Sequence, residues 1–360
     1  MQYVFADKQV PGLAPWVLPN PNVRWEAVEQ YNVGTDWAFF DQRLHANIDF
    51  YIKNTNDMLV PMSVPISSGY SDETVPNINA GRMRNTGVEV SLNSMNIKSS
   101  NFTWTTTVNF AYNHNRILSL NDDVPMYFGN NIHAVGYPVS AFYGYVTDGI
   151  FQSQSEIDNH AVQTIGSDAY SSTQPGDIRF RDLNNDGVIN EDDRTVLGSP
   201  TPTWTFSMSN RLEFYGVDIE VYLQGAAGNK IYNGNRATLE AMSVAQNQLI
   251  TVLDRWRPDH PSNIMPRAVF SDPNKNNRVS DRFLEPGDYL RLKSITVGYT
   301  LPKHLTQKAL MSEVRFSVSG QNLYTLTRYT GLDPEVGGAG IDSNVYPLTR
   351  NFTFGVNITF

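Results

Sequence analysis

The 360-residue chain contains no cysteine, which excludes disulfides, thiol catalysis, Cys-ligated zinc and iron–sulfur clusters at once. It contains no run of 18 apolar residues, so no transmembrane helix is expected, and its opening MQYVFADKQVPGLAPW lacks the basic region and apolar stretch of a signal peptide. Charge is sparse, 18% of residues, and of the wrong sign for a nucleic-acid binder: 27 Lys+Arg against 36 Asp+Glu leave −9, with no basic stripe. No nucleic-acid partner is expected. Six scattered histidines, His45, His114, His133, His160, His260 and His304, show no H-x-x-x-H spacing, so a His-based metal site is not expected either. What the chain does have is 18 Phe, 18 Tyr and 6 Trp within a 40% hydrophobic composition, too apolar for a disordered linker.

Those apolar residues recur with a period of two. From Asn351 to Phe360 every even position (Phe352, Phe354, Val356, Ile358, Phe360) is apolar and every odd one is Gly or polar, the pattern of a strand with two unlike faces. The same alternation runs through Trp204, Phe206, Met208, Leu212 and Phe214, through Phe102, Trp104, Val108, Phe110 and Tyr112, and through Leu44, Ala46, Ile48, Phe50 and Ile52. Val217 to Leu223 and Val314 to Val318 repeat it, and weaker strands near 27–39, 86–96 and 289–301 bring the number to nine. Helix is expected only as a short amphipathic turn at 303–312 and a segment near 236–254.

Connection lengths alternate. They are short at 40–42, 97–100 and 215–216, modest at 302–312, and long at 54–85, 114–202, 226–288 and 322–350. A β-sandwich has no reason to gather its long loops on one side, whereas an outer-membrane barrel has short periplasmic turns and long extracellular loops. In such a barrel the Phe/Trp/Val/Ile face meets lipid and the Thr/Ser/Asn face meets a polar lumen, so a mean hydropathy of −0.36 is compatible with membrane residence. The fold expected is therefore all-β: an antiparallel transmembrane β-barrel, with membrane lipid against its outer face. Single-chain bacterial barrels close with an even number of strands and leave no edge in hydrocarbon, so the nine strands of 1–360 read as the C-terminal part of a longer barrel.

Several ordered motifs carry a family resemblance from about residue 25 to Phe360. The stretch SGQNLYTLTRYTGLDPE (319–335), the strand start NTGVEV (85–90), GYPVSAFYGY (136–145) with DGIF (148–151), and YLRLKSITVGYTLP (289–302) resemble segments of SusC/RagA-type TonB-dependent transporters of the Bacteroidetes outer membrane. The resemblance implies a large plugged barrel that imports oligosaccharides or peptides, energy delivered by the TonB complex through a plug and N-terminal region with no counterpart in these residues, and a SusD-like surface lipoprotein as a lid. It also implies that the aromatic terminus Phe360 is read by the barrel-insertion machinery.

Local motifs add candidates. DLNNDGVINEDD (182–193) places oxygen ligands Asp182, Asn184, Asp186, Asn190 and Asp193 at positions 1, 3, 5, 9 and 12 of an EF-hand-type loop, with the Val188 carbonyl at 7 and Gly187 at 6. A structural Ca2+ stapling the long loop 114–202 is the expectation; an Asx-rich turn that holds itself is the alternative. Tyr143, Tyr145, Trp256, Tyr324 and Tyr329 are candidate stacking surfaces for a sugar or peptide. Neither Glu285 with Asp288 nor Asp254 with Asp259 is a persuasive glycosidase pair, and no enzyme activity is expected. The alternative function is a calcium-stapled all-β binding module at the cell surface, without transport.

Overall fold

The computed structural model describes residues 2–5, 8–11, 19–62, 76–164 and 172–360. Parts of the expected long connections, 63–75 and 165–171, lie outside the described residues, as do residues 1, 6, 7 and 12–18 of the segment before the first long strand. The nine expected strands are present: β1 (Ala27–Phe39), β2 (Leu44–Pro61), β3 (Asn77–Lys98), β4 (Phe102–Ser119), β5 (Trp204–Phe214), β6 (Val217–Ala227), β7 (Tyr289–Thr300), β8 (Glu313–Thr327) and β9 (Asn351–Thr359). They form one antiparallel meander in which each pairs with its neighbours in the chain, so the sandwich reading is excluded. β1 and β9 are the two edges and do not pair with each other.

Register sorts the faces. Met208 lies between Val108 and Leu223, and Phe206 between Phe110 and Gly225, whereas Ser207 lies between Asn109 and Gln224 on the opposite face. The apolar face is not covered by protein: Phe352 and Phe354 on β9 are 65% and 78% exposed. Apolar residues that would be costly in water are what lipid requires on a barrel's outer surface.

Two polar interruptions of that face satisfy each other. Thr106 and Asn210 sit side by side on it, and the Thr106 hydroxyl donates to Asn210 Oδ1 at 2.7 Å. The Trp104 indole donates to the same oxygen at 3.1 Å, and Asn96 Nδ2 donates to Thr106 Oγ1 at 2.7 Å. An unpaired amide in hydrocarbon costs several kcal/mol, so the cluster is tolerated because its members bond one another.

A bulge at Lys293 governs the far end of β7. Tyr222 faces Ser294 and its successor Leu223 faces Leu292, leaving Lys293 as the extra residue. Counting back from the outward Val297 and Ile295, strict alternation would send Arg291 into lipid. The bulge instead keeps Leu292 and Leu290 outward and turns Arg291 and Tyr289 inward.

The strands extend beyond the expected alternation mainly at the long-loop end, as in β2 to Pro61, β3 from Asn77, β4 to Ser119 and β8 to Thr327. At the other end the turns are tight: Tyr215 and Gly216, at φ 48° and 83°, form a two-residue hairpin with both central residues left-handed. The helix expected at 303–312 is a short α-turn, Lys303–Thr306, running into a 3₁₀ turn, Gln307–Ala309; that expected near 236–254 is Gly234–Leu239 with a separate 3₁₀ turn, Ile250–Asp254.

The two faces make opposite predictions at adjacent positions. Met208→Arg puts a charge mid-strand on the lipid face and should destabilise the barrel by ~2–4 kcal/mol, while Ser207→Arg, turned to the lumen, should change stability far less. Urea titration followed by heat-modifiable gel migration in lipid checks this; equal effects at the two positions would contradict the assigned faces.

Candidate functional site

The described parts of the four long connections lie at one end of the sheet, and buried ionic networks hold the bases of two of them. Arg291, 2% exposed and turned inward by the bulge, donates from Nη2 to Asp333 Oδ1 at 2.7 Å, from Nη1 to Glu335, and from Nε to Thr325 Oγ1 at 2.9 Å. One guanidinium thus ties connection 328–350 to the strand wall, with its planar fork serving two carboxylates. Asp333 also accepts from the Glu335 amide at 2.9 Å.

A second network binds connections 228–288 and 328–350 together. Strand Lys230–Asn233 pairs antiparallel with Leu284–Pro286 and parallel with Ile341–Asp342. Asn233 caps helix Gly234–Leu239 by accepting from the Arg236 amide at 2.9 Å. Arg236 bridges Glu240 (3.1 Å) and Glu285 (2.9 Å), Arg282 bridges Glu240 (3.1 Å), and Glu285 accepts from the Thr330 amide at 2.7 Å. Burial alone would raise the Glu285 carboxyl, but the Thr330 amide, the Arg236 guanidinium and the Thr330 hydroxyl outweigh it and hold the pKa below the ordinary range.

Above this floor lies a cavity of about 780 Å³, walled by Leu239, Leu249, Ile264, Met265 and Leu332 and edged by His260. Among the described residues no Phe, Tyr or Trp lines it. A second, shallower cleft of about 400 Å³ lies on the inward face of the sheet, where Asn47, Asp49, Glu89, Asn109, Ser207 and Gln224 form a polar wall.

The five candidate stacking residues are not gathered on one surface. Tyr145 and Trp256 pack on the same cluster of Ile150, Ile178, Phe180 and Ile189. Arg278 lies 4.8 Å over the Tyr145 ring, and the Trp256 indole donates to Gln152 Oε1 at 3.0 Å while lying so close to Gly176 (φ 95°) that a Cβ there would fall 2.4 Å from the ring. Tyr143 stacks beside Tyr127 and under Arg194, whose guanidinium carbon is 5.1 Å from its centroid. Tyr329 is buried, its hydroxyl donating to Asp342 Oδ2 at 2.6 Å. Tyr324 alone of the five is fully open, 61% exposed on the outer face beside Leu326.

The loop 182–193 closes on itself. Asp182 accepts from the amides of Asn185 (2.7 Å) and Gly187 (2.9 Å), Asp186 from that of Val188 (2.8 Å), and Asp192 donates its amide to Asn190 Oδ1 at 2.7 Å. Buried Asp193 accepts from the amides of Leu183 and Asn190, both at 2.8 Å. Among the described residues no three His, Asp or Glu side chains cluster, so a cation in this loop would depend on Asn and carbonyl oxygens beside its acids. The carboxylate pairs are likewise in use elsewhere: Glu285 with Arg236, Asp288 accepting from the Gly228 amide at 2.7 Å, and Asp259 near Arg257 at 3.8 Å, while Asp254 lines the cavity. Phe360 follows β9 as an 88% exposed terminal aromatic.

Residues 5–323 match the model of the TonB dependent receptor-like β-barrel. The chain belongs to that family. TonB-dependent receptor P3 of Formosa agariphila is 33% identical over 378 residues, covering 99% of this chain and 36% of that protein, and TonB-dependent receptor SusC of Bacteroides thetaiotaomicron is 28% identical over 380 residues, covering 100% and 34%. The structure of the RagAB peptide transporter superposes with a TM-score of 0.80 and 25% identity over 100% of this chain and 38% of its own. The receptor chain thus spans a little over a third of the length of the relatives it matches, is SusC/RagA-like, and is an outer-membrane β-barrel protein.

Site reasoning from sequence missed Arg291, Arg236, Arg282 and Glu240. Arg291 had a readable signal: a charged residue at a position that alternation assigns to lipid. Replacing it with Ala strands the buried Asp333 carboxylate and should cost ~3–5 kcal/mol, seen as faster proteolysis within 328–350; cleavage at the wild-type rate would contradict the latch. Because the Glu285 pKa is depressed, its contribution is present above the unfolded value of about 4.3 and is lost as pH falls through the lower folded value. Protease protection of these loops should therefore collapse in acid, and Glu285→Gln should flatten that dependence.

Proposed function

We propose that the chain forms the C-terminal wall and extracellular rim of an outer-membrane transporter, energised through TonB and covered by a SusD-like lipoprotein, that imports oligopeptides. The observation that carries the reading is the superposition of the whole chain on the RagAB peptide transporter. The alternative cargo, oligosaccharide, is the less favoured: sugar faces stack on aromatic rings, and the 780 Å³ cavity has aliphatic walls above paired ions. Aliphatic walls suit peptide side chains, and the paired acids and arginines suit a backbone with charged ends. Strands outside this chain would close the barrel across β1 and β9, and Phe360 would serve the insertion machinery, so Phe360→Lys should lower the amount of inserted barrel.

Uptake of labelled peptide and oligosaccharide mixtures by cells dependent on the full-length receptor tests the cargo. Peptide import that falls severalfold in Leu332→Asp, with unchanged barrel insertion, is the expected result; import of oligosaccharide alone would overturn the peptide assignment.

Calcium belongs to the same reading as a staple of the rim. Asp182, Asn184, Asp186, Asn190, Asp193 and the Val188 carbonyl would hold it, drawing further together a loop that Val162 already pins through hydrogen bonds with Gly187 (2.8 Å) and Ile189 (2.9 Å). Millimolar calcium should raise the melting temperature; no heat and no shift on titration would remove the metal.

A further inference from the structure

The end of the sheet opposite the loops carries a second surface. Turns 40–43, 99–101, 215–216 and 301–312 and the terminal Phe360 all lie there. Phe40, Tyr215 and Leu310 adopt left-handed backbone conformations (φ 55°, 48° and 57°), which bulky L-residues rarely do, and each projects a side chain at least 75% exposed. Leu305 and Phe360 are exposed beside them. They lie just beyond the last rows of the lipid-facing band, Tyr299 against Phe316 and Phe102 against Phe214.

Turn 301–312, LPKHLTQKALMS, adds charge of one sign: Lys303 and Lys308, with His304 between them and no Asp or Glu. All three are exposed, and neither lysine joins an ion pair among the described residues. The neighbouring Glu313 acts electrostatically on Arg315 and lines, with Arg315, Asp218 and Arg211, a separate cleft at this end of the sheet. The turn is firmly seated: Thr306 is buried and its hydroxyl donates to the Lys303 carbonyl at 3.2 Å, the Ser312 amide and hydroxyl donate to the Thr359 carbonyl at 2.7 and 3.0 Å, and the Leu301 amide donates to Val314 at 2.9 Å. A fixed turn with unpaired ammonium groups between apolar tips, at the rim of a lipid-facing band, complements a layer of phosphates lying above acyl chains.

We propose that turn 301–312 docks anionic phospholipids of the leaflet facing the short turns, with Lys303 and Lys308 on the headgroup phosphates and Leu305 and Leu310 among the upper acyl carbons. The surface anchors the barrel's height and tilt at that leaflet, next to the last hairpin.

The test uses the full-length receptor in neutral detergent, titrated with phosphatidylglycerol, phosphatidylcholine or inorganic phosphate, with bound lipid counted by native mass spectrometry. Phosphatidylglycerol should bind more tightly than phosphatidylcholine, and the double variant Lys303→Gln with Lys308→Gln should lose about thirtyfold in affinity for it, which is ~2 kcal/mol at 1.4 kcal/mol per tenfold. Leu310→Ser should weaken both lipids alike. Heat-modifiable migration confirms that each variant is folded. Equal binding of the two lipids, an unchanged double variant, or full competition by inorganic phosphate alone would each overturn the proposal.

Discussion

Hydrocarbon offers the backbone no hydrogen bonds, and the arrangement of these strands follows from that constraint. A nine-stranded antiparallel meander pairs its ladder groups except on its two edges and at its bulges, and the same geometry separates the side chains into an apolar outer face and a polar inner one. The constraint also explains the exceptions. Thr106 and Asn210 stand on the outer face only because they bond each other, Trp104 and Asn96. Arg291 lies four and six residues before the outward Ile295 and Val297 and avoids lipid only through the extra residue at Lys293.

That bulge links the wall to the rim. By turning Arg291 inward it supplies the cation that Asp333 and Glu335 require, and those acids carry the base of connection 328–350. Thr330, three residues before Asp333, reaches Glu285, which Arg236 holds beside Glu240 and Arg282. The cavity above is therefore built on ions that neutralise one another. Buried pairs of this kind contribute little net stability compared with apolar packing, but removing one partner is costly, so they fix the arrangement of the loops more than they strengthen it.

The strands were readable in the sequence because lipid and lumen impose a period of two over each crossing. Their outer ends were not. At their outer ends β2 and β3 pack Val60, Ile78 and Ala80 against Met126 and Val135 of the loop instead of lipid, and stretches such as KNTNDM (53–58) and INAGRMRN (78–85) carry no sustained alternation although the ladder continues through them. The family motifs were readable as strings, but their physical content, a Lys293 bulge in one meeting the Asp333–Glu335 pair of another, needed coordinates. Aromatic content was a poor guide to the rim: Tyr143, Tyr145, Trp256 and Tyr329 pack within the loops, where ring faces are covered by arginines, a glycine or a buried hydroxyl bond. Residues that do line the cavity, such as Leu249 and Met265, look like ordinary loop residues until the fold assembles them.

The account rests most directly on which end of the sheet faces outward. Because the chain has no native cysteine, single cysteines report cleanly. Labelling intact cells with a membrane-impermeant maleimide should modify Leu332→Cys in the full-length receptor at once and Ser100→Cys only after the outer membrane is permeabilised. Labelling of Ser100→Cys in intact cells, with Leu332→Cys protected until permeabilisation, would contradict the assigned orientation and with it the placement of the cavity at the cell surface.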